Sequence, residues 1–220
     1  MTGRRAGFVR ERAEIVGACR KMNTLGINQG TAGNIGLRVK GGMLVTPSGM
    51  PYDAMTAADI VFMKADGSVP AGQRKPSSEW RFHRDILASR PEVGAVVHSH
   101  AMFATTLSCL RMAIPAFHYM VAVAGGDSIR CAPYATFGTQ ALSDRAVKAL
   151  AGRKACLLAN HGMIAVGETL AKAMALAVEV ETLAAQYWRA LQAGRPVLLS
   201  KREMRVVLAK FATYGVQDGG

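Results

Sequence analysis

Cysteine is scarce in this chain of 220 residues, and its four copies, Cys19, Cys109, Cys131 and Cys156, include no CxxC pair. A disulfide framework is therefore not expected, and reduced thiols in a cytoplasmic setting are. Aromatic residues make up only 6%, and a lone Phe8 among the N-terminal arginines falls short of the aromatic interleaving that base-stacking surfaces require. Long apolar runs are missing too. His118, His161 and Lys172 interrupt the apolar stretches before they reach the roughly 18 residues of a membrane span. Charges crowd the first fourteen residues and leave no apolar core for an export signal. No linker, repeat or low-complexity tract divides the chain, so a single domain over residues 1–220 is expected.

Acidic residues are also few, 15 against 27 basic ones, for a net charge of +12 and a pI near 10.0. Such a balance first suggests nucleic acid or another polyanion. The excess lies at the ends, however: residues 1–40 carry +6 and residues 189–210 carry +5, while residues 41–188 carry only +2. Without a recognition motif, a basic halo does not support nucleic-acid binding. Half of the residues are apolar, enough for a core without staples.

The periodicities predict helices over residues 8–25, 77–89, 101–111, 138–150, 169–191 and 201–212. Strands are expected at 33–39, 42–46, 59–64, 93–100, 128–132, 156–159 and 163–166, and the apolar run 114–123 reads as extended. Several strands are joined by turns too tight for parallel crossovers. The expectation is an α/β domain with a mixed or mostly antiparallel sheet covered by helices.

His98-Ser99-His100 is the most informative triplet. Residues i and i+2 of a strand face the same way, so two imidazoles converge and suit a divalent transition metal. Taken alone the pair is a weak motif, since packing histidines are common. His161 stands at a turn between two apolar runs, and a turn histidine capping a carbonyl is the competing reading. Three such histidines together would leave coordination positions open, as catalytic zinc sites do. His83 and His118 are expected to pack, His118 with a supporting contact to the site at most. Ser77-Ser78-Glu79 combines hydroxyls, the free amides of a helix start and a carboxylate, a combination that binds phosphate or simply caps the helix. The loops Asn28–Asn34 and Thr46–Gly49 add backbone amides that favour anions, or serve as plain turns.

The blocks NQGTAGN, TPSGMPY, KPSSEWRFH, VVHSHA, IPAFHYM, CAPYATFGT and ANHGMIAVG, in this order, together resemble the class II aldolase/adducin-like family, and within it the L-fuculose-1-phosphate aldolases. The likeness runs from about residue 10 to Gly215. It implies a three-layer α/β/α fold around a mostly antiparallel sheet and a homotetramer with active sites at subunit interfaces. It also implies zinc held by His98, His100 and His161, with Glu79 as both metal ligand and catalytic carboxylate. Gly33, Asn34, Ser48, Gly49, Ser77 and Ser78 match the phosphate pocket. Tyr119 matches a tyrosine donated across the subunit interface that handles the aldehyde oxygen's proton. Tyr214 and Phe137 match residues near the substrate tail. Gly36 departs from the family, where many members read G-N-x-S, and puts one polar contact near the phosphate in doubt. Ser48 replaces a frequent threonine and keeps its hydroxyl.

The chemistry so implied is reversible cleavage of a ketose 1-phosphate into dihydroxyacetone phosphate and a small aldehyde, with zinc as Lewis acid and no Schiff-base lysine. The aldehyde end stays open: lactaldehyde from L-fuculose or L-rhamnulose 1-phosphate, or acetaldehyde or methylthioacetaldehyde from 5-deoxyribulose or 5-methylthioribulose 1-phosphate. Ribulose-phosphate 4-epimerases and methylthioribulose-phosphate dehydratases share the histidines. A non-catalytic adducin-like interaction module would have lost them.

Overall fold

The computed structural model of this protein describes residues 7–213. Its helices are α1 (Val9–Thr24), α2 (Trp80–Ser89), α3 (Met102–Cys109), α4 (Gln140–Ala149), α5 (Leu170–Ala193) and α6 (Lys201–Thr213). The strands are β1 (Asn34–Val39), β2 (Gly42–Val45), β3 (Val61–Lys64), β4 (Ala95–Ser99), β5 (Arg130–Ala132), β6 (Ala155–Leu158) and β7 (Gly162–Gly167). They form one seven-stranded sheet in the order β3-β2-β1-β4-β7-β6-β5. Every pairing is antiparallel except β5 with β6.

The inner strands are apolar on both faces, which obliges helices to cover both sides. Ile35, Leu37, Ala95, Val97, Met163 and Ala165 pack with Ile15 and Met22 of α1, Leu107 of α3, and Val180 and Leu183 of α5. Their alternates Val45, Val96, Ile164 and Val166 pack with Phe82 and Ile86 of α2 and with Leu142 and Ala146 of α4. The result is a three-layer α/β/α arrangement.

Two expected elements form differently. The run 114–123 is not a strand: Ile114 makes one isolated bridge to Ile129, and Tyr119–Ala124 is a 3-10 helix. His118 caps it, its Nδ1 accepting from the Met120 amide at 3.2 Å, and Gly125 closes it in the left-handed region at φ 86°. Local capping has outcompeted the extended reading of an apolar run. Helix α2 begins at Trp80 rather than Ser77. The residues before it are held extended against the β2 exit, with Pro47 bridged to Pro76 and the Ser77 amide donating to the Thr46 carbonyl at 2.9 Å. Glu79 consequently sits at the helix boundary, not within its first turn.

This topology positions a site. β1 and β7 both run antiparallel to β4, so the start of β1, the end of β4 and the start of β7 meet at one edge of the sheet. Asn34 lies directly opposite His98, and the start of α2 brings Glu79 to the same edge.

Candidate metal centre and active site

His98, inside β4, and His100, just past its end, converge with His161 from the β6–β7 turn. Their ligating nitrogens lie within 4.8 Å of one another. The turn is tight: Asn160 takes a positive φ of 54°, a conformation asparagine tolerates. Its amide donates to the Ser108 carbonyl at 2.9 Å, tying the turn to α3. Gly162 is required here, because a Cβ would lie 2.5 Å from the Ser99 carbonyl oxygen and 3.0 Å from the His100 ring.

Hydrogen bonding orients His98. Its Nδ1 lies 2.9 Å from the Met163 carbonyl oxygen, which can only accept, so Nδ1 carries a proton and Nε2 is the nitrogen turned toward the cluster. Glu79 is buried, with Oε2 3.2 Å from His98 Nε2 and Oε1 3.2 Å from His161 Nε2. These approaches are not aligned hydrogen bonds. His98 Nε2, His100 Nε2 and Glu79 Oε1 have no hydrogen-bond partner among the described residues. Metal-ligating atoms turned toward one point in a buried site, without hydrogen-bond partners, suit a shared cation. Three imidazoles and a carboxylate form the donor set of a divalent transition metal, so the residues fit the metal that the family resemblance implies.

Electrostatics agree. Burial alone would raise the Glu79 carboxyl, but His98 and His161 beside it hold it well below the usual carboxylate range. Burial, reinforced by His98 and His161, pushes His100 down to about 4, so it is neutral and able to ligate at pH 7.

Beside the histidines, three segments adjoin. The Ser48 amide donates to the Lys75 carbonyl at 3.0 Å and the Thr46 amide to the Ile35 carbonyl at 3.1 Å. Gly33-Asn34, Ser48-Gly49 and Ser77-Ser78 are thereby gathered next to Glu79. Gly33 has no room for a side chain, since a Cβ would lie 2.7 Å from both Asn28 Oδ1 and the His98 carbonyl. Tyr52, from TPSGMPY, donates its hydroxyl to the Gly33 carbonyl and anchors this loop from below. Ser48 and Ser78 are exposed, whereas Ser77 is buried and its Oγ accepts from the Glu79 amide at 3.3 Å.

Phe137, 64% exposed, belongs to a loop that abuts Ser78, where a Gly138 Cβ would come within 2.9 Å of the Ser78 carbonyl oxygen. Arg81 holds this loop by donating to the Gly138 carbonyl at 2.7 Å. Tyr119 is 51% exposed and stacks with Phe211 at 6.4 Å, not against the histidines. Tyr214 lies outside the described residues. An open groove of about 810 Å³, lined in part by Gln29, Thr105, Thr106 and Trp188, reaches His100.

One participant differs from its expected role. His83 is fully buried and packs on Phe82, as expected, but its Nε2 also lies 2.5 Å from Asn34 Oδ1. Asn34 in turn donates from Nδ2 to Glu79 Oε2 at 2.9 Å. The clue in the sequence is that Glu79 and His83 stand four residues apart at a helix start, and so share a face. Gly36 explains the room: a Cβ there would lie 2.6 Å from His83 Nδ1. The departure at Gly36 therefore opens onto the His83 ring.

Known proteins share this architecture. The Class II Aldolase and Adducin N-terminal domain family matches residues 13–188. A 5-methylthioribulose-1-phosphate/5-deoxyribulose-1-phosphate aldolase of Rhodospirillum rubrum is 59% identical over 91% of this chain and 90% of its own length. An L-fuculose phosphate aldolase of Escherichia coli is 52% identical over 93% and 95% respectively. A solved structure of an L-fuculose 1-phosphate aldolase superposes with a TM-score of 0.91 at 39% identity, covering 96% of this chain and all of that one. With sequence, fold and the cluster of three histidines in agreement, the chain belongs to the class II aldolase and adducin N-terminal domain family and stands among its aldolases.

Proposed function

We propose that this protein is a metal-dependent aldolase that reversibly joins dihydroxyacetone phosphate to a small aldehyde, giving a ketose 1-phosphate. The observation that carries this reading is the buried carboxylate of Glu79, 3.2 Å from two of three convergent imidazoles. His98, His100, His161 and, without substrate, Glu79 would hold zinc. A metal held by these residues would supply Lewis-acid polarisation of the ketose carbonyl.

The chain's own groups do the rest. The amides and hydroxyls around Gly33, Asn34, Ser48, Gly49, Ser77 and Ser78 bind the phosphate, fixing the orientation of the reacting carbons with binding energy remote from them. In the condensing direction the Glu79 carboxylate takes a proton from the hydroxymethyl carbon of dihydroxyacetone phosphate. That carbon attacks the aldehyde, and Tyr119 from a neighbouring subunit gives a proton to the aldehyde oxygen. Cleavage is the reverse, proton for proton. Phe137 and Tyr214 enclose the aldehyde's tail. A homotetramer supports this sharing of residues, and the exposed apolar side chains of Met102, Leu110, Tyr119 and Phe137 suit such an assembly. The whole chain acts as one domain in the cytoplasm. Among the described residues no helix is long and apolar enough to cross a membrane.

For the aldehyde half, the 59% identity to a methylthioribulose and deoxyribulose phosphate aldolase favours 5-methylthioribulose and 5-deoxyribulose 1-phosphates. The 52% identity and the structural likeness to fuculose phosphate aldolases support L-fuculose 1-phosphate. A panel of these three ketose 1-phosphates, compared by kcat/KM for aldehyde release, separates the readings. A preference of tenfold or more identifies the substrate, and no cleavage of any member refutes the reaction.

A further inference from the structure

We propose that His83 is a positioning residue that, through Asn34, decides which oxygen of Glu79 is tethered and which is free to carry the proton. The inference rests on the reading of Glu79 as the proton-transfer group. A carboxylate only accepts, so the Asn34 atom 2.9 Å from Glu79 Oε2 is its amide nitrogen, and the Asn34 oxygen faces His83. That oxygen also only accepts, so His83 must carry its proton on Nε2. The chain of donors runs in one direction, His83 to Asn34 to Glu79, and cannot be reversed while Glu79 is ionised.

The consequence is asymmetric. Oε2 is held by an amide N–H, whereas Oε1 has no hydrogen-bond partner among the described residues. Without His83 the Asn34 amide can rotate, exposing its oxygen to the carboxylate and turning attraction into repulsion. The chain invests in this arrangement. His83 is completely buried and Asn34 is 5% exposed. The ring occupies the space left by the missing side chain of Gly36, two residues along β1 on the face that carries Asn34. Glutamine is the discriminating replacement, because its Nε2 can donate from about the position of the imidazole Nε2, whereas leucine and methionine keep volume and lose the donor.

The test uses zinc-loaded full-length enzyme and follows solvent exchange of the hydroxymethyl proton of dihydroxyacetone phosphate, a half-reaction that needs no aldehyde. His83→Leu is expected to lower the exchange rate tenfold or more, with the KM for dihydroxyacetone phosphate changed less than threefold. His83→Gln is expected to stay within threefold of the unmodified rate. Combined with Asn34→Ala, His83→Leu adds no further loss, since both break the same tether. His83→Met serves in place of His83→Leu if the latter does not fold. In the unmodified metal-free protein, nitrogen-15 spectra of His83 are expected to show Nε2 protonated and Nδ1 bare. Undiminished exchange in His83→Leu, a loss in His83→Gln as deep as in His83→Leu, or a proton on Nδ1 overturns the proposal while leaving Glu79 its role. Undiminished exchange in Glu79→Gln overturns both.

Discussion

Glu79 is asked to be two things, a metal ligand and a base, and its surroundings make both feasible. It is 5% exposed yet kept ionised by His98 and His161, so it is a carboxylate before substrate arrives. Glu79→Gln should retain the fold and lower proton exchange by at least a hundredfold, measured by deuterium incorporation into dihydroxyacetone phosphate. His83 also links the site to stability. Burial, with His98, pushes it down to about 3, below the ~6.5 of a free imidazole. The unfolded chain therefore binds a proton that the folded one refuses as pH falls below 6.5. Stability from this neutral ring is complete above that value and is lost on acidification toward 3, by about 2 kcal/mol between pH 7 and pH 5. Urea unfolding of the metal-free protein at the two pH values should show this loss, and His83→Gln should reduce it.

At the scale of elements, arginine side chains finish helices that the sequence leaves without a glycine cap. Arg38 of β1 donates to the carbonyls of Leu87 and Arg90 at the end of α2 and to that of Val93. Arg90 and Arg130 reach the carbonyls of Leu150, Arg153, Ala149 and Ala151 at and beyond the end of α4. Each places a cation at the negative end of a helix and satisfies carbonyls that lack intrahelical partners. Arg38→Met should cost about 1–2 kcal/mol in denaturant unfolding. Gly162→Ala strikes the β4–β7 crossing, where the blocking atom is a backbone oxygen. It should cost about 1–3 kcal/mol by overpacking and weaken zinc binding to the metal-free protein, as followed by metal titration.

Most of these elements were legible, because two-sided burial leaves β4 and β7 as short apolar runs between turn residues and packing against the sheet leaves α5 an apolar stripe. Convergence of His98 and His100 followed from strand geometry alone. The 3-10 helix after His118 was not legible, since an apolar run reads the same in either conformation until its cap is seen. Neither was the His83–Asn34–Glu79 chain of contacts, which joins a helix to a strand forty-nine residues away and depends on an absent side chain at Gly36.

For the molecule as a whole, the net charge of +12 takes on a different meaning. Arg12 and Arg20 near the N-terminus are engaged with the carbonyls of Ile60 and of Tyr52 and Met55, and Arg38, Arg90 and Arg130 with helix ends. Much of the positive charge thus serves the fold, and in the proposed function the phosphate would be met by amides and hydroxyls beside His98, His100 and His161. In the proposed function this site, loaded with metal, breaks a carbon–carbon bond. The most direct measurement follows release of dihydroxyacetone phosphate from 5-methylthioribulose, 5-deoxyribulose and L-fuculose 1-phosphates before chelation, after chelation and after zinc is restored. Release from at least one substrate, abolished by chelation and recovered with zinc, is the predicted result. Release that persists undiminished in metal-free protein, or no release from any of the three, would contradict it.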